Sequence, residues 1–443
     1  MTKTIAVVGL LAMGLAGAVL AGQVAGRQRD YQALLVRGDD ALGKDETFDA
    51  IEAYSGAIAL RPDSMLAYLR RGETYRRRAD RGDLEAAARD FRRAASLDRL
   101  ATRPLEELGD VTYQLQRYDR AVDAYERSMR IDDRAARICY KLALARYRNA
   151  DIDGALAALD QTVRLDDRIA DAYCLMGVCL REKGRTSDAL RALQKAVALS
   201  PALIPAREEL ADIFAAVDRR ADHLEQLQLL ASLDRGHAAR TIAVALAHAR
   251  ARRFDAAVTT LVGALERGLD DGAVYQALGQ IWLETALARG DRVELGRARE
   301  ALERAASMPG ATSEILMLSG RAALEEGDVK TAERRLQGAI ARFPIEPGAL
   351  LLFATVAERQ NHFDDARRAL LDYEALVVDD VDFVGHATKI AALSARVADQ
   401  ATAAEWIRRG LDRDPQSAQL QALARVNAGA SDPSGRVDRR REN

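Results

Sequence analysis

The stretch that decides the fold is GVCLREKGRTSDALRALQKAVALSP, residues 177–201. Its small residues stand at fixed steps: Gly177, Ala189 twelve residues on, Ala196 seven further, and Pro201 five beyond that. The same steps recur without insertion as Gly38, Ala50, Ala57, Pro62 and again as Gly320, Ala332, Ala339, Pro344. Ala87, Ala121, Ala155, Ala257, Ala298, Ala366 and Ala403 continue the lattice at about 34 residues, with His223 the single rung of another type. A period of this length predicts a stacked helical array rather than a compact enzyme domain. Glycine in a first helix lets the second approach closely, and the alanines sit where neighbouring backbones arrive. The proline cannot continue the second helix and so ends it. Large residues such as Tyr54, Tyr68, Phe91, Leu105, Tyr125, Tyr173, Leu193, Leu336 and Phe353 fill the space between the small ones.

These residues resemble the tetratricopeptide repeat family, and the resemblance runs from about residue 31 to residue 417. It implies an all-α, right-handed superhelical solenoid of antiparallel helix pairs, about eleven repeats long, closed by a C-terminal capping helix. Repeats one to five are expected over 31–203, a divergent sixth over 204–237, and repeats seven to eleven over 238–417. The second carries extra residues from Arg78 to Gly82, the eighth from Ala288 to Leu295, and Val381 to Phe383 precede the eleventh. Residues 416–426 read as the cap, with Leu420 and Leu423 on one face. Residues 427–443, which lack apolar periodicity, read as a disordered tail.

Composition agrees with helices. Hydrophobic residues make up 49%, enough for a continuous core, while aromatics are only 5%. A formal net charge of −2 gives the whole chain no bias toward nucleic acid or lipid. Residues 65–104 alone hold eleven arginines against six acids, which reads first as a solvated helix surface. Cys139, Cys174 and Cys179 form no C-x-x-C, so zinc or thioredoxin-type chemistry is not expected, and buried free thiols are.

Residues 1–26 stand apart. Thr4 to Gly26 carry no charge, Ile5 to Ala21 are nearly all apolar, and Lys3, Arg27 and Arg29 flank the run. Two readings stay open, a cleaved signal peptide or a single uncleaved transmembrane anchor. Both place the repeats at a membrane or outside the cytoplasm, periplasmic or secreted.

No reaction centre is legible, and the expectation is a non-enzyme without cofactor or metal. Gly38 to Lys44 resembles the start of a phosphate loop, but Asp45 stands where a Ser or Thr is required and the context is helical. The five histidines, His223, His237, His248, His362 and His386, show no metal spacing.

Recognition remains. The resemblance implies that first helices line a concave groove, with positions two, five, nine, twelve and thirteen pointing inward. In repeats two to five these positions give Arg76, Arg77, Arg103, Tyr113, Arg137, Tyr140, Tyr147, Arg148 and Arg181 as candidate partner contacts. Glu73, Glu106, Asp110, Asp171 and Glu182 line the same groove. Tyrosine and arginine carry much of the energy of interfaces, and together they suit an acidic or extended polypeptide, or an anionic glycan. In repeats seven to eleven the same positions are mostly Ala, Leu, Gly and Gln. The expected function is a protein-binding scaffold in envelope assembly, secretion or export. The alternative is an accessory subunit of an envelope enzyme or polysaccharide-export machine. A nucleic-acid binder acting through the 65–104 arginines is a third class, one that would lose affinity steeply with salt, but an exported chain rarely meets nucleic acid and none is expected as a partner.

Overall fold

A computed structural model describes the backbone of residues 2–378 and 380–430 and the side chains of 22–378 and 380–428. The described residues form 23 α-helices and no strand. They fall into two compact units, residues 1–219 and 220–443.

The first unit is built of antiparallel pairs. The long helix Thr2–Gly43 pairs through its C-terminal part with Thr47–Leu60, Met65–Arg78 with Asp83–Leu97, and Arg103–Gln114 with Tyr118–Ile131. Ala136–Arg148 pairs with Ile152–Leu165 and Ala170–Glu182 with Thr186–Leu199, and Ile204–Ala216 follows. The alanine lattice explains the pairing: Ala50, Ala87, Ala121, Ala155 and Ala189 are all fully buried. The glycines explain the closeness. A Cβ on Gly109 would lie 2.3 Å from the Tyr125 ring, and one on Gly177 2.5 Å from Leu193. No side chain larger than hydrogen fits there unless the neighbour moves.

The second unit repeats the plan from Ala238–Arg250 with Phe254–Glu266 to Phe383–Arg396 with Gln400–Arg413. Ala257, Ala298, Ala332, Ala366 and Ala403 are again fully buried. His223, the odd rung, is half-buried, and the buried members of its helix are Gln226 and Leu230. The last helix, Ala418–Ala430, sets the fully buried Leu420 against Gly410 and covers the final apolar face. It thus runs through Asn427 to Ala430, residues expected in the tail; 431–443 lie outside the described residues.

The turn inside most pairs carries one left-handed residue. It is a glycine at Gly184 and Gly327, but Gln116, Ala150, Arg252, Asn361 and Ala398 adopt the same conformation. A side chain there costs about 1 kcal/mol, so packing on both sides holds the turn. The three cysteines are buried and unbridged. Among the described residues, no helix is long and apolar enough to cross a membrane. The side chains of the apolar N-terminal run up to Ala21 lie outside those described.

Candidate functional site

In the first unit the first helices of successive repeats exchange side chains and form one continuous polar face. Tyr54 donates its hydroxyl to Asp39 at 2.7 Å, and Arg70 of the next first helix lies 3.7 Å from the same carboxylate. Arg70 also reaches Glu73 at 3.4 Å, and Arg103 of the following helix meets Glu73 at 2.6 Å. Arg76 pairs with Glu107 at 3.1 Å, and burial raises the pKa of that carboxyl while the arginine opposes the rise. Asp110 accepts from Tyr125 at 2.7 Å and from Lys141, one repeat on, at 2.6 Å. Arg181 lies 3.1 Å from Glu209 and 3.8 Å from Asp212. Arg77 pairs with Asp45 at 2.8 Å and also donates to the Leu42 carbonyl.

The nine candidate residues therefore divide. Arg76, Arg77, Arg103 and Arg181 each face a carboxylate of this same face, so their charge is already compensated. Arg148 is exposed and bonds to the Tyr113 hydroxyl, which holds it in its charged form. Arg137 is exposed, and among the described residues no hydrogen bond or ion pair engages its guanidinium. Tyr113, Tyr140 and Tyr147 are half-buried and pack on the core formed by Tyr125, Ile138, Leu142 and Leu159. Tyr147 donates to Glu182 at 2.7 Å, and this bond together with burial pushes its pKa up to about 12. Burial pushes Tyr140 to about 12 as well, with Asp171 adding to the rise. Both are neutral donors at physiological pH. The tyrosine rings thus serve the core, while the Tyr113 and Tyr147 hydroxyls bond to Arg148 and Glu182. The sequence reading did not pick out Glu107, Lys141 and Glu209 as members of this network. Their signal is opposite charge 28 to 31 residues apart on neighbouring first helices.

Reactive groups are not assembled here. Burial pushes the thiols of Cys174 and Cys179 up to about 11 and about 12, which keeps them protonated and inert. In the second unit a cleft of about 640 Å³ is lined by Tyr275, Leu278, Trp282, Arg297 and Glu300. Two of its charged groups are paired with neighbours, Arg304 with Asp270 and Glu303 with Arg299.

Family models described as tetratricopeptide repeat match residues 76–136, 140–204 and 323–383. The chain is a tetratricopeptide repeat protein. Its repeats make it a scaffold for protein–protein interaction. Among solved structures it is similar to MamA, at 23% identity over 39% of this chain and 93% of that one, with a TM-score of 0.37. YrrB, described as a TPR protein with an unusual peptide-binding site, is 22% identical over 44% of this chain and 98% of that one, TM-score 0.37. A chain of the APC/C hetero-tetramer Cut9-Hcn1 is 14% identical over 90% of this chain and 96% of that one, TM-score 0.38. No curated protein matches the sequence.

Proposed function

We propose that this repeat protein is a non-enzymatic scaffold that captures an extended, acidic polypeptide segment on the first-helix face of residues 103–182. Arg137 and Arg148 supply the anion contacts; Tyr113, Tyr140 and Tyr147 supply rings and hydroxyls. One observation carries the reading: of the six candidate arginines, these two alone are not engaged by a carboxylate of the protein itself. An arginine already paired with a carboxylate gains little from a second anion, whereas Arg137 gives up only hydration and Arg148 at most its Tyr113 hydroxyl contact. Asp171 and Glu182 lie on the same face, so a uniformly anionic glycan is a poorer fit than a peptide that also offers donors.

The apolar N-terminal segment supports a membrane-tethered or exported chain, with an envelope assembly or secretion complex as its setting. An accessory role to an envelope enzyme or polysaccharide exporter would use the same face. The test is fluorescence anisotropy with a labelled Asp/Glu-rich decapeptide, against the wild type and the Arg137→Glu, Arg148→Glu double variant. The variant is expected to bind at least tenfold more weakly with its helical circular dichroism unchanged. Equal affinity would move the site elsewhere.

A further inference from the structure

Between the last two helix pairs lies a cluster that the recognition face does not use. Glu374 stands near the end of helix Phe363–Leu376, His386 in the first turn of Phe383–Arg396, and Asp380 in the segment joining them. Their side chains are sealed from water: Glu374 is 5% exposed, Asp380 6% and His386 9%. His386 Nδ1 lies 2.7 Å from Asp380 Oδ2 and 3.1 Å from Glu374 Oε1, and all three donor atoms lie within 4.8 Å of one another. The Tyr373 ring packs edge-on against the imidazole at 5.0 Å, and its hydroxyl bonds to Asp380. A cavity of about 130 Å³, lined by His386, Lys389, Glu358 and Thr355 among others, adjoins the histidine.

We propose that Glu374, Asp380 and His386 form a binding site for one divalent transition-metal ion, with Zn²⁺ preferred. Two carboxylates brought together out of water repel each other at low dielectric unless a proton lies between them, as in the Glu374–Asp380 hydrogen bond, whose place a cation would take. A single divalent cation among them offsets both charges at once. The donors are two oxygens and one imidazole nitrogen, a set that suits zinc and its neighbours, whereas calcium and magnesium require more oxygens. Metal–ligand distances of about 2.0–2.2 Å in a tetrahedron set donors roughly 3.3–3.6 Å apart, so the two histidine contacts must open by under about 1 Å. Three protein ligands leave a fourth position for water or another donor. The Tyr373 hydroxyl is placed to orient Asp380 from outside the ligand set, a common outer partner of metal-bound carboxylates. The consequence is structural. The ion would staple the end of one repeat to the start of the next across a linker whose Val378 and Val381 stand in solvent.

The full-length protein, stripped with a chelator and dialysed, is titrated with Zn²⁺ by calorimetry, and bound metal is measured by elemental mass spectrometry. One equivalent per chain is expected, with a higher melting temperature on loading. His386→Gln and Glu374→Gln should each weaken binding at least 100-fold and abolish the thermal shift. His362→Gln, at the exposed His362–Glu333 pair, should change neither. If either ligand variant fails to fold, Co²⁺ added to the wild type reads the same site through the visible bands of a tetrahedral N/O complex. Substoichiometric uptake by the wild type, binding retained in both ligand variants, or Co²⁺ bands of an octahedral aqua ion would each overturn the proposal.

Discussion

The two units share a backbone plan but tie their repeats together differently. In the first, polar links run from one first helix to the next, Asp39 to Arg70, Glu73 to Arg103, Asp110 to Lys141 and Arg181 to Glu209, beside second-helix pairs such as Glu126 with Arg146 and Asp153 with Lys183. Among the described residues of 272–413, the ion pairs between repeats start from second helices, without the first-helix links. Arg299 reaches Glu326 at 2.5 Å and Asp328 at 3.1 Å, Arg367 contacts Asp399, and Glu333 meets His362 at 2.6 Å. The side chain beneath each first-helix glycine accounts for part of this. Under Gly38 and Gly109 lie Tyr54 and Tyr125, whose hydroxyls pass the glycine and bond to the aspartate beside it. That aspartate then receives a base from the next repeat. Under Gly279 and Gly320 lie Leu302 and Leu336, which fill the same space and end there. At Gly38 and Gly109 a phenol hydroxyl thus anchors the carboxylate, while under Gly72 lies Phe91 and the neighbouring Glu73 is held by Arg70 and Arg103 alone.

The largest way to break this comparison is Tyr125→Ala. It removes a ring that is 2% exposed and leaves Asp110 without its phenol, at an expected cost of about 3–5 kcal/mol. Hydrogen exchange should accelerate around 103–165 and leave 313–376 unchanged. Gly109→Leu attacks the same contact from the other side and should cost about 1–3 kcal/mol by overpacking, read as a lower melting temperature. Asp110→Ala should cost about 1–3 kcal/mol, because the Tyr125 hydroxyl and Lys141 lose their shared acceptor. Arg321→Ala, at the exposed equivalent position after Gly320, should stay within about 0.5 kcal/mol; equal losses at the two sites would erase the distinction. The smallest effects belong to the turns. Ala150→Gly relieves a left-handed alanine and should stabilise by about 0.5 kcal/mol, whereas Gly327→Ala should destabilise by about 1 kcal/mol.

The fold was legible because its determinants are local. Gly177, Ala189 and Ala196 specify one close helix pair, and repetition on a fixed step does the rest. The proposed recognition face was legible only as a set of positions. Which arginines keep their charge available depends on the rotation between neighbouring first helices, and that rotation sets Arg76 against Glu107 and leaves Arg137 alone. Sequence spacing cannot express it, since the partners lie nearly a repeat apart. The tyrosines show the same limit: Tyr113 and Tyr140 both pack on the core and line the face, two roles that helical periodicity treats as exclusive. The Glu374, Asp380 and His386 cluster escaped the search for metal spacing because its members come from a helix end, a linker and a helix start.

The most direct measurement of the central claim is hydrogen–deuterium exchange of the full chain with and without the saturating acidic decapeptide. Slowed exchange confined to the first helices within 103–182, and abolished by Arg137→Glu with Arg148→Glu, is the predicted result. Protection that appears instead in the first helices of 272–413, or survives the double substitution, would contradict it.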